Sequence, residues 1–239
     1  VIIIFGVLAF YFTNIFENWG LQYLSSSKSC FIYSLTPFFS ALLSYIHLKE
    51  EMTLKKWIGL FIGFIGILPV LSIQNDSLSK SFFLISLPDL SLLLATFLSS
   101  YGWVILKKLT HKKKNINITT INGASMLIAG LIASIHAFLT HSYLIKGANP
   151  YTFIQMLIVL TLISNIICCN LYGILLKKHS ATFLSFIGIL CIFFSAIHGY
   201  IFLGEKPSTT IFLSSFIIAL GIWLFYKSEQ QQASLLKNY

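Results

Sequence analysis

Apolar runs of roughly 18 to 24 residues alternate along the chain with short polar or lysine-bearing breaks, and each is long enough to cross a hydrocarbon core of about 30 Å as a helix. The pattern predicts eight spans, at approximately residues 1–24, 26–47, 56–73, 83–106, 119–141, 151–176, 180–203 and 209–226. What remains is too short for an extramembrane domain. Ten-residue segments alternating at period two, as in an outer-membrane barrel, are absent. The fold class that follows is an all-α, polytopic membrane helix bundle, because a spanning helix satisfies its own backbone hydrogen bonds.

Shifted by 155 residues, the chain overlays itself without a gap. Ser25 then meets Ser180, Phe38 to Ala41 meet Phe193 to Ala196, Tyr45 meets Tyr200, Glu50 meets Glu205, Thr53 meets Ser208 and Gly66 meets Gly221. Matches of Leu, Ile and Phe are cheap in such a composition, whereas those of Ser, Tyr, Glu and Gly are not. Five crossings separate Glu50 from Glu205, so the two copies are predicted to lie in opposite orientations, an inverted repeat. The expected organisation is a five-plus-five bundle with its first two helices missing. Residues 1–73 are then the remainder of the first unit (three helices), 83–226 the second unit (five helices) and 227–239 a cytoplasmic tail. Val1 opens the chain inside an apolar run, which fits that expectation.

Composition narrows the class. Hydrophobic residues make up 56% of the 239 and charged residues 10%, with a mean hydropathy of +0.84, whereas a soluble domain carries about 25% charged residues. The net charge of +9 comes from sixteen basic residues, all lysine, lying mainly in the short connections. There they set topology, and no nucleic-acid partner is implied. Twelve fall on one side of the alternating spans, around Lys49, Lys107, Lys177 and Lys227, and four on the other. The positive-inside rule makes the twelve-lysine side and the C-terminus cytoplasmic, in a multi-pass protein of the bacterial inner membrane with membrane lipid as a partner. Trp57, Trp103 and Trp223 read as interfacial anchors on that side. Cys30, Cys168, Cys169 and Cys191 read as small packing residues, without metal spacing or a disulfide framework. No phosphate loop, metal-ligand cluster or nucleophile motif is present, so no enzyme activity, metal or cofactor is expected.

Polar groups inside apolar runs carry the candidate chemistry, since an ion near the bilayer centre costs about 2.5–3.5 kcal/mol on insertion scales. Glu17 reads as the only acid well inside an apolar run, flanked on its helix by a stripe containing Tyr11, Asn14, Asn18 and Gln22. A carboxylate beside amides suits a substrate amino group or a carried proton; the structural alternatives are an interfacial position or a pair with Lys28. The next helix presents Ser29, Tyr33, Thr36, Ser40 and Ser44 on one face around Pro37, which removes a backbone donor and frees a carbonyl one turn earlier. Its repeat counterpart presents Gly188, Cys191, Ser195 and His198. Asn165 and Asn170 are the amides of the helix related to that of Glu17. The candidate substrate path is therefore Asn14, Glu17, Asn18, Tyr33, Thr36, Pro37, Ser40, Asn165, Cys191, Ser195 and His198. Glu50 with Thr53, and Glu205 with Ser208, read as structural: each glutamate ends a span three residues before a hydroxyl able to cap the next helix.

The stretches LSSSKSCFIYSLTPFFSALLSYIHLKEEMTLKKWIGLFIGFIGILPVL and HSATFLSFIGILCIFFSAIHGYIFLGEKPSTTIFLSSFIIALGIWLFY resemble the two EamA repeats of the drug/metabolite transporter superfamily. The shared features are the small-residue entries Ser25 to Ser29 and Ser180 to Thr182, Pro37, the glutamates Glu50 and Glu205, and Gly59, Gly63, Gly66 and Gly221. Ile192 replaces the second proline, and Lys28 stands at a usually small or apolar position. The resemblance implies a secondary carrier of small organic metabolites with alternating access and a central cavity, together with a coupling proton or counter-substrate. Such carriers handle amino acids, amines and nucleosides, and similar ones in AT-rich intracellular bacteria import S-adenosylmethionine. The competing readings are an efflux rather than an uptake carrier, and a membrane protein with a structural or regulatory role and no transport.

Overall fold

The computed structural model describes residues 2–24, 26–73, 85–112, 117–140, 149–190 and 209–237, with residues 194, 197 and 201. Helices fill these segments: α1 (Ile2–Leu21), α2 in two pieces (Ser26–Tyr33 and Thr36–Leu48), α3 (Leu54–Ile73) and α4 (Leu87–Lys112). Then come α5 (Ile118–Leu139), α6 (Pro150–Leu176), α7 (Ala181–Leu190, its last turn a 3-10 turn) and α8 (Thr209–Lys237). Each predicted span has its helix. Among the described residues, stretches of α1, α2, α4, α5, α6 and α8 are long and apolar enough to cross a membrane. The predicted end of the last span at 226 falls inside a continuous helix, because KSEQQQASLLK contains good helix formers and neither Gly nor Pro.

Glycines bring α3 and α8 together at backbone distance. A Cβ on Gly59 would lie 2.8 Å from the Gly221 carbonyl oxygen and 3.0 Å from the Phe225 nitrogen; one on Gly66 would lie 2.9 Å from Ile218 Cγ1. A Cβ on Gly221 would meet the Gly59 oxygen at 2.6 Å and the Gly63 nitrogen at 2.7 Å. As α3 climbs from Gly59 to Gly66, its partner in α8 descends from Phe225 to Ile218, so the helices are antiparallel. Since α3 and α8 are related by the 155-residue shift, the two copies are inverted. The contact pattern is also self-complementary, as a two-fold axis demands: the shift turns the pair Gly66–Ile218 into Gly221–Gly63. Small residues at such a crossing allow the close van der Waals packing that drives helix association where lipid is as apolar as the side chains.

A second mark of duplication lies in the backbone. Val7–Phe12 of α1 and Thr161–Cys168 of α6 are π-helical, and the shift carries the first segment inside the second. A widened turn leaves carbonyls off the regular ladder. In α1 the Thr13 hydroxyl donates to the Leu8 carbonyl five residues back, at 2.8 Å. Just beyond each wide segment an asparagine amide returns to the carbonyl four residues earlier, Asn14 to Phe10 at 2.5 Å and Asn170 to Ile166 at 2.7 Å.

Around these pairs α1 packs on α4 and α5, and α2 on α4 and α7. One buried cluster joins Phe5, Leu43, Val104, Leu106, Leu176 and Leu184; another joins Ala41, Leu60, Ile67, Phe186, Ile218 and Phe225. Residues 151–163 of α6 are exposed throughout. Ion pairs tie α2 to α4 at both ends. Lys28 Nζ meets Asp89 Oδ2 at 2.6 Å, and Glu50 Oε1, just beyond α2, meets Lys107 Nζ at 2.6 Å. Asp89 also accepts from the N–H and hydroxyl of Ser86, both at 2.6 Å, which caps α4. Thr53 Oγ1 accepts from the Lys56 N–H at 3.4 Å at the start of α3, while its hydroxyl lies 2.7 Å from that of Ser228.

Candidate substrate cavity

The break in α2 begins with Pro37. Its missing N–H would have bonded the carbonyl of Tyr33, and the Thr36 hydroxyl supplies the donor instead, at 2.5 Å. Ser34 likewise turns its hydroxyl onto the Phe31 carbonyl at 2.6 Å. Helix resumes from Thr36 with Pro37 in its first turn, where a proline costs no hydrogen bond. This interruption sets Cys30, Tyr33, Ser34 and Thr36 on the wall of a cavity of 470 Å³. The opposite walls are Ser99 and Trp103 of α4; Ser164, Cys168, Cys169 and Tyr172 of α6; and Leu184, Ser185, Gly188 and Ile189 of α7. That volume falls within the roughly 300–1,000 Å³ of small-molecule sites.

Two features give the cavity its chemistry. The indole of Trp103 and the phenol ring of Tyr172 form an aromatic corner, their centroids 4.4 Å apart and their planes 50° from each other. Phe5 and Phe10 of α1 brace the indole edge-on from behind, at 6.0 and 6.5 Å. A short relay approaches the Tyr172 hydroxyl, 3.4 Å from Ser185 Oγ, which lies 2.7 Å from Ser40 Oγ. The other feature is the Tyr33 hydroxyl, which donates to Glu17 Oε1 at 2.5 Å. Glu17, half-buried on α1, is thus one hydrogen bond from the cavity. Among the described residues, none of the lining side chains is a lysine or a carboxylate. The lining offers ring faces, hydroxyls and thiols, with one acid behind a phenol.

The structure therefore brings Glu17, Tyr33 and Thr36 together, with Pro37 and Ser40 buried immediately behind. Asn14 and Asn18 are exposed, and Asn14 spends its amide donor on its own helix. Asn165 is exposed too, and its neighbour Ser164 lines the wall. Asn170 accepts from Asn122 at 3.2 Å in the packing of α5 on α6. Cys191, Ser195, His198, Glu205 and Ser208 lie outside the described residues.

Three readings change. Trp103, expected as an interfacial anchor, lines the cavity, and so do Cys30, Cys168 and Cys169, expected as packing residues. Lys28 pairs with Asp89, a second acid within the apolar spans, which the pattern of runs passed over. A signal existed for it: Ser86 and Asp89 have the three-residue spacing of a capping box. Tyr172 and Ser185 are not among the candidates drawn from the polar stripes.

The signature of the EamA-like transporter family matches residues 1–72 and 86–227. The chain is 39% identical over 240 residues to the S-adenosylmethionine/S-adenosylhomocysteine transporter of Chlamydia muridarum, a match covering 99% of this chain and 75% of that protein. The protein so named in Chlamydia trachomatis serovar L2 is also 39% identical, with 99% and 73% covered. An uncharacterized transporter of Archaeoglobus fulgidus is 25% identical, with 95% and 76% covered. A solved crystal structure shares the fold at a TM-score of 0.70 and 15% identity, over 92% of this chain and 74% of that one. Inverted halves, a polytopic helical bundle and a family match over most of the sequence lead to one assignment: this chain is a multi-pass membrane protein, not an enzyme, and belongs to the EamA-like transporter family.

Proposed function

We propose that this carrier moves S-adenosylmethionine and S-adenosylhomocysteine across a bacterial inner membrane by alternating access, with its C-terminus in the cytoplasm. The observation that carries the reading is the pairing, in one cavity, of an aromatic corner with a carboxylate-backed phenol. An adenine ring stacks on the faces of Trp103 and Tyr172. The sulfonium of the methylated substrate, a cation without donors, is held by the same ring faces. The substrate ammonium turns toward Tyr33 and Glu17, where a phenol and a carboxylate oxygen accept its protons. Relatives named for both compounds support a site that tolerates the presence or absence of the S-methyl group. The proposed path contains Glu17, Tyr33, Thr36, Pro37 and Ser40, and includes Cys191, Ser195 and His198 from the sequence that follows α7. Exchange of the two compounds makes one the counter-substrate of the other, without a coupling proton.

The test is uptake of radiolabelled S-adenosylmethionine into proteoliposomes preloaded with S-adenosylhomocysteine. Rapid exchange, abolished by omitting the internal compound and depressed about tenfold or more by Glu17→Gln, is the expected result. Uptake of neither compound by the native chain refutes the substrate assignment.

A further inference from the structure

A second cavity, of 490 Å³, lies at the end of the bundle where α2, α4, α6 and α8 finish. Lys49, Lys56, Lys107, Lys177, Lys178 and His179 line it, against three carboxylates, Glu50, Glu51 and Glu229. Each carboxylate is engaged. Glu50 holds Lys107, Glu51 accepts from Gln232 Nε2 at 3.1 Å, and Glu229 accepts from both the N–H and the hydroxyl of Ser180 at 2.9 Å. Lys56 is thereby left without a carboxylate in direct contact, although Glu229, Glu50 and Glu51 lie near enough to favour its charge. Its residue is 5% exposed, and its Nζ donates to Gln232 Oε1 at 2.6 Å and to the Glu51 carbonyl at 3.2 Å. The ring of Phe225 lies 5.7 Å away. Among the described residues no carboxylate oxygen comes within 4 Å of it. A buried ammonium with no carboxylate in direct contact, one N–H unspent and at the N-terminus of a twenty-residue helix, in a cavity with more lysines than glutamates, is an environment that favours an anion.

The two cavities are in series. Trp103 lines the central one and Lys107, one turn further along α4, lines the second; Tyr172 and His179 likewise line the first and the second, seven residues apart. Leu176, buried, lies between Tyr172 and His179 along the chain. Among the described residues the central lining holds no lysine, and they offer no cation there to a carboxylate arriving with an amino-acid-type substrate.

We propose that the lysine-lined cavity is a carboxylate-binding vestibule of the transport path, with Lys56 as its anchoring charge and Lys107, exchanging Glu50 for the substrate carboxylate, as the group that passes the anion inward. The proposal rests on the functional reading above for the identity of the anion, but the site itself is testable without it. The purified full chain in detergent is melted in sodium acetate and in sodium chloride of equal ionic strength. Acetate is expected to raise the melting temperature of the native chain by a few degrees. Lys56→Gln removes that difference and Lys56→Arg retains it. Gln232→Glu, which gives Lys56 an internal counter-ion, removes the difference in a chain that keeps Lys56, so a folding defect of Lys56→Gln cannot mimic the answer. No acetate effect, or one that survives Lys56→Gln and Gln232→Glu, overturns the site, as does a response to phosphatidylglycerol in place of acetate.

Its role in transport is read from KM. Lys56→Gln raises KM for S-adenosylmethionine about tenfold, the worth of one charge-assisted hydrogen bond, and leaves within about twofold that of its decarboxylated analogue, which keeps the adenosine, sulfonium and amine. An equal rise for both compounds overturns the vestibule as a carboxylate site. If the native chain carries neither compound, the substrate assignment fails alone, and the acetate measurement still decides the site.

Discussion

Gly221→Ala is expected to force α3 and α8 apart, and the size of the effect follows from what the new methyl meets. The added carbon would lie 2.6 Å from the Gly59 oxygen, 2.7 Å from the Gly63 nitrogen and 3.1 Å from the Gly63 Cα. All three are backbone atoms of a regular helix, so no rotamer change relieves the contact. Restoring an ordinary separation of about 3.4 Å or more requires the helices to part by several tenths of an ångström along the crossing, which loosens Ile218 and Phe225 in the adjoining core. Overpacking of this kind costs about 1–3 kcal/mol. For a chain of 239 residues this is a fall of several degrees in melting temperature. Gly123→Ala is the control: nothing lies within 4 Å of its added carbon, and a helical Gly→Ala change is otherwise favourable by about 1 kcal/mol. The assay is thermal unfolding in detergent, followed by size-exclusion chromatography with fluorescence detection. Equal melting temperatures for the Gly221→Ala and Gly123→Ala chains would refute the close backbone crossing, and with it the antiparallel relation of the two copies.

Four further outcomes are expected. Tyr33→Phe removes the donor to Glu17 while keeping the ring, and should slow exchange several-fold without lowering the melting temperature by more than about 1 kcal/mol equivalent, the net worth of one hydrogen bond; a loss of fold in its place contradicts the assigned role. Trp103→Ala should raise KM for S-adenosyl compounds by about tenfold, from an aromatic contact of about 1–3 kcal/mol per stacked base, whereas Trp223→Ala, on the exposed face of α8, should leave KM unchanged. A maleimide small enough to enter should modify Cys30 and Cys168 and block uptake, with substrate slowing the modification; peptide mapping that finds both thiols unreactive counts against an accessible cavity. Asp89→Asn should cost about 1.5–3 kcal/mol by removing the charge that meets Lys28 at 2.6 Å, and the double change with Lys28→Met should recover part of that loss in the same melting assay.

Periodicity and duplication made most of the bundle legible, since a spanning helix has a fixed minimum length and an internal copy dates every polar match. Glu17 and Tyr33 were recoverable on the same grounds: a charge retained in an apolar run, and a polar face beside a proline. Other residues were misjudged for physical reasons. Asn165 was picked for its amide and not for its position on the helix, and it is its neighbour Ser164, within a π-helical segment, that reaches the wall. Trp103 was misplaced because an indole near a helix end suits both a headgroup layer and an aromatic wall, and only the packing of Phe5 and Phe10 decides between them. The cysteines carry no polarity signal at all, so lining and packing positions look alike in one dimension. Lys56 looked like one more loop lysine, because the amide of Gln232 and the ring of Phe225 reach it from 176 and 169 positions away in the chain.

The wide turns of α1 and α6 carry a historical consequence. An extra residue slipped into the same register of two helices is improbable as a pair of separate events, and it rearranges the bonding of everything around it. It belonged to the ancestral gene before fusion. Each half would then have carried the same bend from the start, so the widened turn is older than the contact between the halves.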